Sequence, residues 1–371
     1  MTTNKRLPPG FRTSSLILLL ALVPACHSTP RPPSAQFAAG SARPPASPAP
    51  GAPPDDAAAS TEAVDLHRLP TLAAILPRIA ADRVVFVGEV HTDLAGHLNQ
   101  LAIIRGLHER HPDLAIGMEY FQQPFQKDLD EYIAGKLSET ELLAKTQYFT
   151  RWGYDFRLYE PILEYAREKG IPLVALNVPS ELAQKVGRSG SSSLTAQERA
   201  EIPQHMDRSS TAYREYLKSV FKEHPNAKGE PFEYFYDVQL LWDEGMASRA
   251  ARYLQEHPRR ALVILTGNGH VLYGFGIPDR LTRRIKVSRA IMLDGLDGPF
   301  EPGMADFVLL SKEQHLPPAG TLGVKLEPAS EGLRIASFAK NNAAQAAGLE
   351  SGDRILSLNG ERVKDMADVK L

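Results

Sequence analysis

The chain has 371 residues, room for about two domains at roughly 150 residues each, and its 43% hydrophobic and 23% charged residues exclude a wholly disordered or fibrous polymer. Lys+Arg at 42 against Asp+Glu at 44 leaves a net charge of −2, with no basic footprint for nucleic acid. A single cysteine excludes an internal disulfide framework and any multi-cysteine zinc or iron–sulfur site.

The N-terminus reads as a targeting segment. Lys5, Arg6 and Arg12 precede the apolar run 16–23, too short to span a bilayer, and Val23-Pro24-Ala25-Cys26 follows at once. A small residue before a cysteine here resembles the bacterial lipobox, although Pro24 departs from it. Residues 1–25 then form a lipoprotein signal peptide and Cys26 carries the lipid; an ordinary secretory signal is the alternative. Cleavage removes three positive charges and no negative ones, leaving −5. Residues 30–54 hold nine prolines and seven alanines in 25 positions, with Phe37 the one bulky apolar residue, so 26–64 reads as a disordered tether.

Residues 65–312 read as an α/β domain. Apolar runs at 83–87, 114–118, 172–176 and 261–265 have the length of buried strands, and 96–111 and 159–169 carry helical apolar spacing. Strands alternating with helices imply a mostly parallel sheet flanked by helices. Each run ends in polar groups: Gly88-Glu89-Val90-His91, Gly117-Met118-Glu119-Tyr120, Asn177-Val178-Pro179, and Gly267-Asn268-Gly269-His270. The carboxyl ends of parallel strands share one edge, so Glu89, His91, Glu119, Asn177, Asn268 and His270 should converge on one crevice. A helical insertion is expected at about 195–257. It opens with the capping box Thr195-x-x-Glu198 and contains an aromatic-rich stretch at 231–257 that serves as lid, ligand wall or simple core. Arg151-Trp152-Gly153-Tyr154, with Arg157 nearby, forms an aromatic and basic loop.

These residues carry a resemblance. GEVH at 88–91 with His97 and Gln100, GMEY at 117–120, Gln126, the stretch 152–179 and LTGNGHVLYGFGIPDRL at 265–281 resemble the ChaN-like haem-binding lipoproteins, grouped with the Tiki, TraB and erythromycin-esterase-like proteins. The resemblance implies a lipid-anchored protein of the bacterial cell envelope, binding haem for iron uptake and dimerising around it. His27 after the lipidated cysteine favours the outer membrane. Haem requires an axial ligand, and with no thiolate for the task this is tyrosine or histidine. Tyr120, Tyr154, Tyr159 and Tyr273 are the tyrosine candidates, Tyr154 first for its aromatic and basic setting. His91, Asn177, Asn268 and His270 would line the cofactor, and Arg151 and Arg157 would meet its propionates. The alternative is a metal-dependent hydrolase, a peptidase or esterase, in which Glu89, His91 and His270 hold zinc or manganese and Glu119, or Glu89, acts as base.

Residues 319–371 change character. GTLGVKL at 320–326 and AAGLESGDRILSLNG at 346–360 resemble a PDZ domain, in which Leu322, Gly323 and Val324 would offer backbone N–H groups to a peptide carboxylate. The sequence stops at Leu371, where the second helix of such a domain begins, so the module reads as partial and its peptide groove as lacking one wall.

Overall fold

The structure is a computed structural model and describes residues 64–223, 231–296, 300–340 and 342–371. The expected signal peptide, Cys26 and the tether up to residue 63 lie outside these residues. No helix among the described residues is long and apolar enough to cross a membrane.

Six strands form one parallel sheet: β1 Val84–Glu89, β2 Leu114–Gln122, β3 Leu173–Asn177, β4 Ala261–Gly267, β5 Arg289–Leu293 and β6 Phe307–Val308, in the order β3-β2-β4-β1-β5-β6. Helices α1 Leu72–Ile79 and α2 Leu94–His108 flank β1 in sequence, and α3 Gln126–Ile133, α4 Glu139–Lys145, α5 Tyr148–Arg151 and α6 Glu160–Lys169 join β2 to β3. Between β3 and β4 come α7 Ser180–Ser189, α8 Ala196–Ala200, α9 Thr211–Glu223 and α10 Phe232–Glu256, and α11 Ile277–Arg284 precedes β5. The α/β architecture and the helical insertion are therefore as expected. The Thr195–Glu198 capping box forms in both directions, but the helix it starts is five residues long. The strands β5 and β6 were not anticipated, and β6, at two residues, is too short for a periodic signal.

Strand alternation divides the core. Val85 and Val87 of β1, Ile116 and Met118 of β2, and Val263 and Leu265 of β4 face the α1–α6 side. Val84, Phe86, Ala115, Leu262 and Ile264 face the side covered by α9–α11. By the same period of two, Glu89 falls on the α2 face and Glu119 on the α10 face. The outer edge of β3 is closed by a side chain. Gln126 Nε2 donates to Leu173 O at 2.8 Å and Gln126 Oε1 accepts from Ala175 N at 2.9 Å, completing the ladder where no strand follows. Gln126→Ala is expected to lower unfolding stability by about 1–3 kcal/mol, read as a reduced urea midpoint at constant slope, because both backbone groups lose their partner. An unchanged midpoint would show that water replaces the amide without penalty.

The C-terminal residues form a separate small antiparallel unit. Strands β7 Val324–Pro328, β8 Leu333–Phe338 and β9 Arg354–Ile355 make one sheet, and β10 Ser357–Leu358 pairs with β11 Glu361–Arg362. Helix α12 spans Ala343–Ala346 and α13 Met366–Lys370. Leu322 is 42% exposed, Gly323 adopts φ +66° beside Asn342, and Val324 opens β7.

Candidate functional site

Glu89 is the last residue of β1 and Glu119 lies inside β2, because both strands run further than their apolar runs suggest. Parallel register sets Gly88 beside Thr266 and Glu89 beside Gly267. A methyl group at Gly88 would lie 2.5 Å from Asn268 Oδ1, so only glycine lets the two strand ends close up.

Two carboxylate–imidazole centres result. In the first, His91 Nδ1 lies 2.6 Å from Glu89 Oε1, the imidazole coming from the turn that follows the last residue of β1. Glu89 is fully buried, and its Oε2 has no hydrogen-bond partner, with His97 Nε2 3.9 Å away. His97 and Gln100, both on α2, face one another at 3.2 Å, and Gln100 Oε1 also accepts from the Tyr120 hydroxyl at 3.2 Å. Burial pulls the His91 imidazole down, but the Glu89 carboxylate outweighs it and leaves His91 above its ordinary value.

The second centre is a chain. His270 Nε2 lies 3.3 Å from Glu119 Oε1 and His270 Nδ1 lies 2.8 Å from Asp243 Oδ1, and Asp243 Oδ2 accepts from the Tyr213 hydroxyl. Glu119 Oε2 accepts from Thr266 Oγ1 at 2.6 Å and from Gly267 N at 2.8 Å. Burial opposes both charges, yet Glu119 and Asp243 push His270 up to about 10, while His270, His91 and the Thr266 hydroxyl hold Glu119 down at about 2. The ring is thus an imidazolium clamped between carboxylates. A methyl group at Gly276 would meet His270 O at 2.2 Å, so the loop after β4 depends on glycine to fold back onto this ring.

The two centres are neighbours, the charges of Glu119 and His270 acting on His91, and His91 and His270 are 8% and 9% exposed. Trp152 and Tyr154, both half-buried, pack their rings 4.7 Å and 4.9 Å from the His91 ring, and Trp242 lies 6.1 Å from that of His270.

Several expected roles are redirected. Tyr120 and Tyr159 are 3% and 0% exposed, their hydroxyls donating to Gln100 and to His91 O, which removes both as ligands of a surface-docked group. Tyr273 is half-buried at φ +56° and donates to Glu301. Asn177 donates to Glu119 O and accepts from Val178 N, and Asn268 donates to Asp294 O, so both amides shape backbone. Arg151 forms a bidentate pair with Glu181, and Arg157 with Asp155. Glu89, His91 and His270 divide between the two centres, and no group of three or more His, Cys, Asp or Glu is arranged to hold a metal ion among the described residues. Sequence reasoning missed Asp243 and Tyr213. The Trp242-Asp243 pair, a carboxylate inside an apolar helical stretch, was the available signal.

Residues 75–281 match the family model described as haem-binding uptake, Tiki superfamily, ChaN, and residues 320–370 match that of the PDZ domain. The fold resembles that of ChaN from Campylobacter jejuni, a structure titled for cofacial haem binding, with TM-score 0.53 and 16% identity over 64% of this chain and 91% of that one. An erythromycin esterase EreC mutant is more distant, with TM-score 0.38 and 17% identity over 59% of this chain and 72% of the other. The Arabidopsis thaliana chloroplastic protein RETICULATA-RELATED 5 is 26% identical over 252 residues, 62% of this chain and about a third (34%) of the plant protein.

Proposed function

We propose that this chain, which belongs to the ChaN haem-binding uptake family of the Tiki superfamily, binds haem at the carboxyl edge of its parallel sheet and serves haem or iron uptake in the bacterial cell envelope. The observation that carries the reading is the half-buried Trp152–Tyr154 pair beside His91, Trp152 edge-on to the imidazole and Tyr154 tilted against it. The chemistry of this donor set fits haem: aromatic faces for the ring, a phenol for ferric iron, and an adjacent imidazole to orient it. Tyr154 would be the axial ligand and His91, held by Glu89, its neighbour. Bound haem would supply a ferric centre; the protein's part is to orient it and shield one face. Lipid on Cys26 would anchor the chain, in the outer membrane by preference, a second copy would cover the exposed haem face, and the PDZ module would recruit a protein or peptide partner.

Titration of the full chain with ferric haem should give a saturable Soret shift of defined stoichiometry, and Tyr154→Phe should abolish the tyrosinate charge-transfer band. Absence of a specific shift in the wild type would sink the reading; an unchanged band in the variant would exclude Tyr154.

The buried chain Tyr213–Asp243–His270–Glu119 favours a second reading, hydrolysis of an ester or peptide.

A further inference from the structure

We propose that the C-terminal unit straps the wall of the crevice: helix α13 holds the segment that carries Trp152 and Tyr154, so that a peptide partner which draws α13 off this segment weakens haem binding. The inference rests on the haem-binding reading, whose aromatic contacts lie on the segment. Residues 147–157 have little regular structure of their own. Helix α5 is four residues long, the helical turn at Phe156–Leu158 is three, and the backbone is left-handed at Gln147 (φ +53°) and Gly153 (φ +81°). A stretch with so few internal hydrogen bonds takes its shape from what packs on it.

Tyr148 and Phe156 are buried in the core, and Trp152 and Tyr154 between them lie beside His91. The C-terminal part of the chain supplies two further contacts. Helix α13 packs against α5, with Lys370 Nζ 5.7 Å from the centre of the Phe149 ring. Arg157, bidentate on Asp155, donates to Pro317 O at 2.8 Å, and the neighbouring Leu316 packs on the core. Both cations act on Asp155, next to Tyr154: the hydrogen bonds from Arg157 hold its carboxyl below the ordinary value, and Lys370 adds its charge. Helix α13 stands where the second helix of a PDZ domain starts, the helix that walls the peptide groove beside β7. A peptide strand added along β7 therefore bears on the helix that rests on α5. The coupling is reciprocal, so bound haem strengthens the docking of α13 by the factor that release of α13 weakens haem.

The test uses the full chain with Trp242 replaced by phenylalanine, which leaves Trp152 as its single tryptophan. In this background Lys370→Glu is expected to lower the fluorescence anisotropy of Trp152 before haem is added, and to weaken ferric-haem affinity, read at the Soret band, by about three- to tenfold. Lys370→Arg keeps a cation over the Phe149 ring and should match its parent in both readings. Lys325→Glu makes the same charge change on β7, where Lys325 pairs with Glu327, and should move neither. Unchanged haem affinity in Lys370→Glu overturns the inference and leaves haem binding standing. So does an equal loss in Lys325→Glu, since net charge alone would then be acting. No saturable Soret shift in the unsubstituted chain removes the haem-binding reading and the coupling together.

Discussion

Replacing Glu244 with leucine should lower the unfolding free energy by about 3–5 kcal/mol, the cost of stranding buried charge. Glu244 on α10 and Arg280 on α11 are each 1% exposed, with Arg280 Nε 3.1 Å from Glu244 Oε1. Arg284 pairs with the other oxygen, and Asp207 N donates to Glu244 Oε1 at 2.9 Å. Without the carboxylate, two guanidiniums lose their counter-charge and a backbone N–H loses its acceptor, where water cannot substitute. The same helix turn carries Asp243, so the His270 clamp should loosen as well. Urea unfolding followed by circular dichroism measures the effect. The double variant Glu244→Leu/Arg280→Met should recover part of the loss, because removing both buried charges is far less costly than removing one. A loss below about 1 kcal/mol in the single variant would mean that Arg280 escapes to solvent, and the network would not be a fold determinant.

The His270 clamp predicts an alkaline loss of stability of several kcal/mol. The folded-state value is raised to about 10 from the ordinary 6.5, so the stabilisation is complete below about pH 6.5 and is lost as pH rises through about 10. Glu119 shows the same ion pair from the other side. Its value is lowered to about 2 from 4.5, so the stabilisation is complete above about 4.5 and is lost as pH falls through about 2. The plateau lies between about 4.5 and 6.5, and the two limbs belong to one interaction and are not additive. The groups facing the ring are Asp243 from α10, Glu119 from β2 and, across the mouth, His91. Urea midpoints at pH 6, 8 and 9.5 should fall steadily, and Asp243→Asn should start the decline at lower pH by removing one of the two anions. Equal midpoints at pH 6 and 9.5 would overturn the clamp as a charged pair.

Much of the site was readable because its chemistry follows local geometry. The polar residues after each apolar run lie at one sheet edge, as parallel strands require, and Glu89 reaches His91 across the short turn that follows β1. The likeness over 88–91, 117–120 and 265–281 placed the chain in its family before any contact was known. The partners were not readable. Asp243 is 27 positions from His270 and Glu119 is 151 away, and nothing in local spacing couples them. Tyr120 and Tyr154 are both ligand candidates in sequence, Tyr154 only slightly ahead, yet one faces Gln100 in the core and the other stands beside His91. Arg151 and Arg157 read as free cations until Glu181 and Asp155 are seen on them.

Hydrophobic period and strand-end chemistry, properties of short windows, thus settle four of the strands and the sheet's direction, and the motif likeness gives the family. Pairing across the sheet, the strand order that brings β4 between β1 and β2, and the docking of α10 on that edge decide which carboxylate charges which imidazole. Those choices depend on distances between residues far apart in sequence, which burial and register impose only once the chain has closed on itself.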